Sequence, residues 1–533
     1  MQFDYVIAGG GSAGCVLAAR LSEDASVSVC LIEAGGAGKD LIIRAPALVA
    51  TMVSGRPKLN NWAFRTVPQP ALNGRRGYQP RGKALGGSSA INAMLYARGQ
   101  PEDYDGWADL GAEGWDWAAC RPYFLRAENN QRGASVHHAT GGPLQVSDQS
   151  EPRAITRAFL DACGEAQIPE TADFNGSQQE GAGYYQVTQF HDGPHKGERC
   201  SAAAAYLHPV MARPNLTVLT RCLVQRVVIA DGRATGVELR RGRRIERLSA
   251  RREVIVSAGA FGSPHLLMLS GVGPEDALRA QGITVNHALP GVGQNLQDHL
   301  DYVISYTSAR TDVIGLNPAG LSRLARDGLR WRKTGGGLFA SPMAEGGAFL
   351  RSAPNVSRPD LQLHFVIGIV DDHLRKLTLS NGFSCHVCLL RPHSRGTVGL
   401  TAPDPAAPPR IDPAFLSDPR DLAPLMRGAR LMEQILQAPP LAPWRKRRLY
   451  PHDTSDAALE ADIRARADTI YHPVGTCRIG TDPLAVTDPQ LCVHGIMGLR
   501  VVDASVMPTV VSGNTNAPTI MIAERAAEMI RTG

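Results

Sequence analysis

The chain is 533 residues long, which exceeds one ordinary hydrophobic core and predicts two domains or one domain with large insertions. Hydrophobic residues make up 43% and charged residues 20%, close to the average of soluble globular proteins, so fibrous and wholly disordered classes are excluded. The net charge of +6 is too small over this length to argue for nucleic-acid binding. We therefore expect a mildly basic soluble enzyme.

Cysteine usage and the lack of targeting signals indicate the cellular setting. Ten cysteines are scattered through mostly apolar runs, without the spacing of a disulfide framework. The close pair Cys385 and Cys388 has no second pair to complete a zinc set, so we interpret both as buried strand residues and expect no metal site. Neither a secretory signal nor an apolar run of about 18 residues is present. A cytoplasmic protein is predicted.

The first 33 residues predict a dinucleotide-binding unit. Gly9 permits a tight turn, Gly11 lets the backbone approach a pyrophosphate at a helix N-terminus, and Gly14 lets helix and strand pack closely. Glu33 is placed to accept hydrogen bonds from a ribose. Strand, turn, helix and strand are predicted in the required order, at residues 3–8, 9–14, 15–21 and 27–32.

A second glycine turn extends this site. Residues 34–80 lack the regular strand and helix alternation of a nicotinamide enzyme. Gly86 and Gly87, followed by Ser88 and Ser89, then predict another phosphate-contacting turn that opens a helix. A cofactor held by two separate segments is expected to be long.

Several long motifs resemble those of one family, the glucose–methanol–choline (GMC) oxidoreductases, which are FAD enzymes. The resemblance covers the chain from residue 4 to 530. It is carried by two signatures and five further segments, at residues 82–105, 259–273, 114–124, 205–218, 289–299, 471–480 and 498–530.

The resemblance implies an α/β fold in which a Rossmann-like FAD-binding domain carries an interposed α+β substrate-binding domain built on a mostly antiparallel sheet. The FAD-binding domain is expected to be discontinuous, over residues 1–155, 197–300 and 473–533. The substrate-binding domain is expected over residues 156–196 and 301–472. The two are therefore interleaved along the chain.

The second signature predicts a strand, a turn and a helix. Residues 254–256 are expected to form the strand, Ser263 the N-cap of the helix, and Pro264 its first position. Gly271 is expected just past the helix end. Near the C-terminus, Pro518 fits the first turn of another helix. The family directs the positive end of that helix at the anionic reduced flavin.

By resemblance, His472 is the general base, and Asn516 falls where the family carries a second His or an Asn that holds the substrate oxygen. An alcohol must lose its hydroxyl proton as well as a hydride, and imidazole suits the first task. A pocket role is also predicted for His364, on an alternating strand, for Tyr471, and for Glu345, which could equally be a loop carboxylate. The predicted cofactor-binding residues are Gly9, Gly11, Ser12, Ala13, Gly14, Glu33, Ala34, Gly86, Ser89, Asn92, Val224, Asp503, Ala504, Asn516 and Pro518.

The family implies oxidation of a primary alcohol to the aldehyde, with hydride transfer to flavin N5. A dehydrogenase that passes electrons to a quinone-type or other non-oxygen acceptor is favoured over an oxidase that makes hydrogen peroxide. A lyase or photoenzyme on the same scaffold is a further alternative. Aliphatic, aromatic and quaternary-ammonium alcohols all stay open as substrates. Relatives with covalent FAD carry a His where this chain has Ile91, so FAD is expected to be non-covalent.

Two basic clusters are interpreted as surface. Residues 240–253 predict a hairpin. Residues 444–450 place four cations beside Trp444 and Tyr450, which is typical either of solvated surface or of peripheral contact with an anionic membrane face.

Overall fold

The computed structural model describes residues 1–315 and 317–532. The strands of this part, numbered in chain order, are β1 (Gln2–Ala8), β2 (Val29–Ile32), β3 (Phe64–Gln69), β4 (Arg75–Gln79), β5 (Glu128–Asn130), β6 (Leu144–Val146), β7 (Gly181–Tyr184), β8 (Leu216–Leu219), β9 (Cys222–Ala230), β10 (Arg233–Arg241), β11 (Arg244–Val256), β12 (Val272–Gly273), β13 (His287–Ala288), β14 (Leu300–Ser308), β15 (Ala344–Leu350), β16 (Leu361–Val366), β17 (Asn381–Leu389), β18 (Thr397–Gly399), β19 (Arg410–Asp412), β20 (Arg447–Arg448), β21 (Asp468–Thr469) and β22 (Leu499–Val501). The α-helices are α1 (Ser12–Leu21), α2 (Leu41–Arg44), α3 (Val49–Val53), α4 (Pro101–Asp109), α5 (Trp117–Ala127), α6 (Ala154–Glu165), α7 (Gly259–Leu269), α8 (Glu275–Ala280), α9 (Pro318–Thr334), α10 (Leu422–Gln437), α11 (Asp456–Arg466) and α12 (Asn516–Thr532).

One large sheet is Rossmann-like. Its strand order is β8-β2-β1-β11-β10-β9, and β22 pairs with the end of β11. The pairs β8–β2, β2–β1, β1–β11 and β11–β22 are parallel, whereas β9, β10 and the start of β11 form an antiparallel extension. β1 and β2 are almost wholly buried, as expected of parallel strands covered on both faces. The fold class predicted from the sequence is confirmed in this half.

The first and last helices pack together against this sheet. α1 contributes Arg20, whose guanidinium pairs at 2.8 Å with the buried carboxylate of Glu524 on α12. The hydroxyl of Tyr206 donates to the same carboxylate at 2.8 Å. A buried carboxylate needs such partners, because an unpaired charge would destabilise the interior. The pairing joins the two ends of the chain in one layer.

The second large sheet is antiparallel, as predicted. Its order is β20-β14-β17-β16-β15-β7, and β21 pairs with β14. β15, β16 and β17 are buried along their whole lengths, and helices α6 and α10 cover the sheet. β16 coincides with an alternating run recognised in the sequence. The described helices include none with the length and apolar character that a membrane crossing needs.

Three local predictions are corrected. α7 begins at Gly259 rather than beside Ser263, so Pro264 lies inside the helix. The reason is that the carboxylate of Asp503, two residues after β22, accepts from the amide of Gly259 at 2.8 Å and from the Ser263 hydroxyl at 2.5 Å. The glycine turn at Gly86 opens only a short 3₁₀ helix, Gly87–Ala90, and β2 begins at Val29 rather than two residues earlier. The predicted glycine after α7 is confirmed: Gly271 has φ +75°.

Candidate active site

A cavity of about 950 Å³ lies between the carboxyl ends of β1 and β2 and the antiparallel sheet. Ligands of open parallel sheets bind at such strand ends. The volume is at the upper end of the usual range for ligand pockets, which extends to roughly 1,000 Å³. The cavity is thus large enough for a long cofactor together with a small substrate.

One wall of this cavity is made of backbone. Gly9 has φ +113°, and a Cβ atom there would lie 2.4 Å from the carbonyl oxygen of Ser257. Gly11 is the N-cap of α1, and none of the described side chains accepts from the amides of the first turn. A Cβ atom on Gly87 would lie 2.7 Å from the Cα atom of Gly11, so the two glycine turns touch. These free amides at a helix N-terminus fit a pyrophosphate.

Glu33 completes the nucleotide part of the wall. Its two carboxylate oxygens accept from the amides of Gly10 at 3.0 Å and Gly35 at 2.7 Å. Burial raises the pKa of this carboxyl to about 7. Each oxygen keeps a second lone pair, so the carboxylate can still accept from a ribose hydroxyl.

Most predicted cofactor-binding residues lie in the cavity wall. Those that do are Gly9, Gly11, Ser12, Ala13, Glu33, Ala34, Asn92, Val224, Asp503, Ala504 and Asn516. Gly14, Gly86, Ser89 and Pro518 are outside the lining, and their contacts with the cofactor stay predictions. A Cβ atom on Gly14 would lie 1.9 Å from the carbonyl oxygen of Gly9, so this glycine serves the packing of α1. Ser89 is occupied: its hydroxyl donates to the Gly86 carbonyl at 2.6 Å and accepts from the Ala202 amide at 3.0 Å.

The opposite wall is made of side chains, and His472 is at its centre. The Nδ1 atom of His472 lies 3.0 Å from Nδ1 of His299, and its Nε2 atom lies 3.1 Å from the amide nitrogen of Asn514. The backbone amide of His472 donates to the carboxylate of Asp298 at 2.9 Å. The imidazole is therefore held at both ring nitrogens and at the main chain.

This network fixes the tautomer of His472. The Nε2 atom of His299 lies 3.1 Å from the carbonyl oxygen of Leu390, which can only accept, so His299 carries its proton on Nε2. Burial lowers the pKa of His299 to about 4, so its Nδ1 atom is a bare acceptor. His472 must then donate from Nδ1, which leaves the lone pair of its Nε2 atom directed at Asn514. Burial, reinforced by His299, His364 and Arg81, lowers the pKa of His472 well below 6.5 and keeps the ring neutral.

Asn514, and not Asn516, is the residue beside His472. The side-chain oxygen of Asn516 accepts from the hydroxyl of Ser12 at 2.8 Å, which ties it to the first turn of α1. The sequence predicts that Asn516 holds the substrate oxygen, but its side chain is bonded to Ser12 and lies in the cavity wall beside α1. The two asparagines are separated by one residue, and α12 begins at Asn516. The segment just before the helix, not its first turn, reaches His472.

Gln362 supports Asn514 from behind. Its amide nitrogen donates to the side-chain oxygen of Asn514 at 3.2 Å and to the hydroxyl of Tyr185 at 3.0 Å. The Tyr185 hydroxyl in turn donates to the carbonyl oxygen of Leu363 at 2.7 Å. This chain orients the Asn514 amide so that its nitrogen faces His472. The sequence did not identify Gln362 or Asn514; the one signal was His364, two residues from Gln362 on the same strand.

The three predicted pocket residues have different outcomes. His364 lines the cavity, stacks on Tyr185, and has no hydrogen-bond partner at either ring nitrogen in the described residues. Tyr471 also lines it, and its hydroxyl lies 2.6 Å from Nδ1 of His373. Glu345 does not line the cavity. Its carboxylate accepts from the amide of Arg153 at 2.7 Å, at the start of α6, and its predicted pocket role stays a prediction.

Comparison with known proteins agrees with this arrangement. Residues 3–301 and 392–523 match the N- and C-terminal domains of GMC oxidoreductases. The chain belongs to the GMC oxidoreductase family. Over 99% of its length it is 47% identical to "Alcohol dehydrogenase [acceptor]" of Pseudomonas putida (96% of that protein) and 45% identical to mitochondrial choline dehydrogenase of Mus musculus (89% of that protein). The solved structure of pyridoxine 4-oxidase from Mesorbium loti superposes with a TM-score of 0.88 at 32% identity, over 100% of this chain and 99% of the other.

Membership defines the cofactor and the enzyme class. FAD is the cofactor of this GMC oxidoreductase, and the enzyme acts on CH–OH donors. The residues present fit FAD: the uncapped start of α1 and the touching glycine turns suit its pyrophosphate, and the backbone-held carboxylate of Glu33 suits its ribose. Ile91, at the position where relatives with covalent FAD carry a His, also lines the cavity.

Proposed function

We propose that this GMC oxidoreductase oxidises an uncharged primary alcohol to its aldehyde, with His472 as the base and Asn514 as the contact for the substrate oxygen. The observation that carries the proposal is the 3.1 Å approach of the Asn514 amide nitrogen to the Nε2 atom of a neutral His472. The Nε2 atom of His472 is a hydrogen-bond acceptor and the Asn514 amide is a donor, and both face the same point of the cavity. An alcohol hydroxyl needs one of each, because it donates its proton and accepts at its oxygen.

In the proposed reaction the substrate hydroxyl replaces the direct contact between these two side chains. The hydroxyl donates its proton to Nε2 of His472, and its oxygen accepts from the Asn514 amide as negative charge develops there. Bound FAD supplies the hydride acceptor, at N5. His299 holds the imidazole in the required tautomer throughout, because its Nε2 proton is fixed on the carbonyl oxygen of Leu390. His364, whose two ring nitrogens have no hydrogen-bond partner among residues 1–315 and 317–532, is the second polar contact we propose for the substrate.

The lining favours an uncharged substrate. The carboxylates in the described lining are those of Glu33 and Asp503, and both accept from backbone amides on the cofactor side. Met343, Val366 and Leu374 contribute apolar surface from the side of the antiparallel sheet. A quaternary ammonium would find no carboxylate among the described lining residues on this side, so we propose an aliphatic or aromatic alcohol rather than a choline-like one.

For the electron acceptor we propose a quinone rather than oxygen. The support is similarity to a protein described as an alcohol dehydrogenase that uses an acceptor. A membrane-soluble quinone would require the enzyme to contact a membrane surface.

We further propose that FAD is non-covalent, so that heat denaturation should release all yellow colour into the supernatant. Yellow colour kept in the precipitate would contradict this.

We also propose the interleaved domain division expected from the sequence. Strand membership supports it, because β7 and β14 to β17 share one sheet, whereas β11 and β22 share the other.

The reaction is tested by anaerobic bleaching of the flavin. Alkanols and benzyl alcohol should bleach it faster than choline, and a soluble quinone should restore the colour faster than air with peroxide formation. His472→Ala should keep its FAD but reduce the bleaching rate by roughly 10²- to 10⁴-fold. Bleaching at the wild-type rate in this variant would show that His472 is not the base.

A further inference from the structure

The basic segment that the sequence offered for membrane contact, residues 444–450, is poorly suited to it. Trp444 is buried, and its ring nitrogen donates to the carboxylate of Asp312 at 3.1 Å. The guanidinium of Arg448 is paired with Glu433. The hydroxyl of Tyr450 donates to Asp371 at 2.7 Å. The aromatic anchor and part of the charge are therefore used within the fold.

Helix α9 has the properties that this segment lacks. Leu321 and Leu329, two turns apart on one side of the helix, expose 53% and 64% of their surface. Arg326, Arg332 and Lys333 are exposed on the same helix. In all, α9 carries five cations and one carboxylate. An amphipathic helix with exposed leucines and flanking cations is typical of a membrane-surface helix.

A loop beside the start of α9 extends this surface. Leu377 and Leu379 expose 67% and 78% of their surface. Leu379 is two residues from Asn381, whose side-chain oxygen accepts at 3.0 Å from Asn317, the N-cap of α9. Two residues span at most about 7 Å, so Leu379 lies close to the first turn of the helix. We call α9 and residues 375–380 together the leucine surface.

The same loop borders the active-site cavity. Val370 and Leu374 line the cavity, and Leu377 is exposed only three residues further along. His373 lies between these points and is bonded through its ring to Tyr471 in the cavity wall and to Asp468 at 3.0 Å. The leucine surface is thus attached to the wall that faces the substrate.

We propose that the leucine surface binds the head-group region of an anionic lipid bilayer, with its leucines inserted and its cations on the lipid phosphates. The cations select an anionic lipid surface over a neutral one, and the leucines distinguish insertion from simple charge attraction. The β10–β11 hairpin is the matched alternative: it exposes Arg243 and Arg244 but only Ile245, at 62%, as a large apolar side chain. The inference rests on the proposed membrane contact, and vesicle binding tests it independently of turnover.

The test is co-sedimentation of the holoenzyme with vesicles of phosphatidylcholine alone or mixed with phosphatidylglycerol. Wild type should bind the mixed vesicles and release at high salt only in part. Arg326→Gln with Lys333→Gln should reduce partitioning by about 25-fold, at roughly fivefold per cation. Leu377→Ser with Leu379→Ser should reduce it at least about tenfold and remove the salt-resistant fraction.

Arg243→Gln with Arg244→Gln is the control with the same change in charge and should bind as wild type. FAD content, and turnover of a water-soluble alcohol without vesicles, should stay unchanged in every variant, which separates this test from failure of the proposed reaction. Three results would overturn the proposal: no binding by wild type, loss of binding only in the hairpin variant, or a leucine variant that changes the solution mass of the enzyme but not its partitioning. The last would assign the surface to a second copy of the chain.

Discussion

The two walls of the cavity are built from different chemical groups, one mainly from backbone and the other mainly from side chains. The cofactor wall uses backbone amides, a helix N-terminus and glycines such as Gly9, with Glu33 as its main polar side chain. The substrate wall uses side chains such as His472 and Asn514, each oriented by another side chain. The backbone wall tolerates no added atom at a position such as Gly9, whereas a side-chain wall is adjusted by single substitutions. Changes in the first should therefore remove the cofactor, and changes in the second should alter the reaction with the cofactor still bound.

The largest effect is expected in the backbone wall. Gly9→Ala should lower FAD content at least about tenfold, because the new methyl would meet the carbonyl oxygen of Ser257 at 2.4 Å in a backbone conformation that side chains disfavour. The flavin to protein absorbance ratio after purification measures this. Gly232→Ala is the control, since Gly232 also has a positive φ, +71°, but has open space around it. Equal FAD content in the two variants would contradict the assignment.

Asn514 and Asn516 lie in different walls of the cavity, so their substitutions should have clearly different effects. Asn514→Ala should keep its FAD and slow flavin reduction roughly 10- to 100-fold, since it removes a donor to the substrate oxygen. Asn516→Ala removes instead the partner of Ser12 and should weaken FAD retention, with reduction slowed less than about threefold. Stopped-flow reduction rates and FAD content of both variants measure this. The reverse pattern would restore the original assignment of Asn516.

Gln362 should act only through Asn514. Gln362→Leu should slow flavin reduction roughly 3- to 10-fold, because it removes one hydrogen bond that orients the Asn514 amide and the free energy of such a bond corresponds to a rate change of about this size. In the Asn514→Ala background the same substitution should have no further effect on the rate. Tyr185→Phe controls for the loss of the other Gln362 bond. Independent, multiplying effects would show that Gln362 does not position Asn514.

The smallest expected effect is the response to pH. His472 accepts a proton only when neutral, and its pKa is lowered below 6.5, so the rate should fall only as the pH falls through that lowered value. The rate of flavin reduction should therefore be flat from pH 6.5 upward to about 8. A bound substrate and cofactor add to the burial and shift the pKa in the same direction. A midpoint at or above pH 7 would contradict a neutral, buried base.

Local signals predicted the elements whose partners are close in sequence. The glycine turn, α1 and Glu33 could be predicted because their signals all lie within the first 33 residues, although α1 begins at Ser12, inside the turn predicted over residues 9–14. The start of α7 could not, because its cap is Asp503, which is more than 200 residues away in the sequence. Ser263 looked like a local cap, but its hydroxyl serves the same distant carboxylate. The start of α7 therefore depends on the Asp503 carboxylate, an acceptor that is distant in the sequence.

The sequence by itself determined the family and the FAD cofactor, and it pointed to His472 as the candidate base, because motifs carry the residues whose backbone or ring chemistry the reaction requires. Only the tertiary structure decided which asparagine lies beside His472 and that Glu345 bonds to the start of α6. The physical reason is that Asn514 and Asn516 share one short segment, and their roles depend on whether Gln362 or Ser12 lies within hydrogen-bond distance. Those distances are set by the meeting of two sheets, which no local pattern in the chain records.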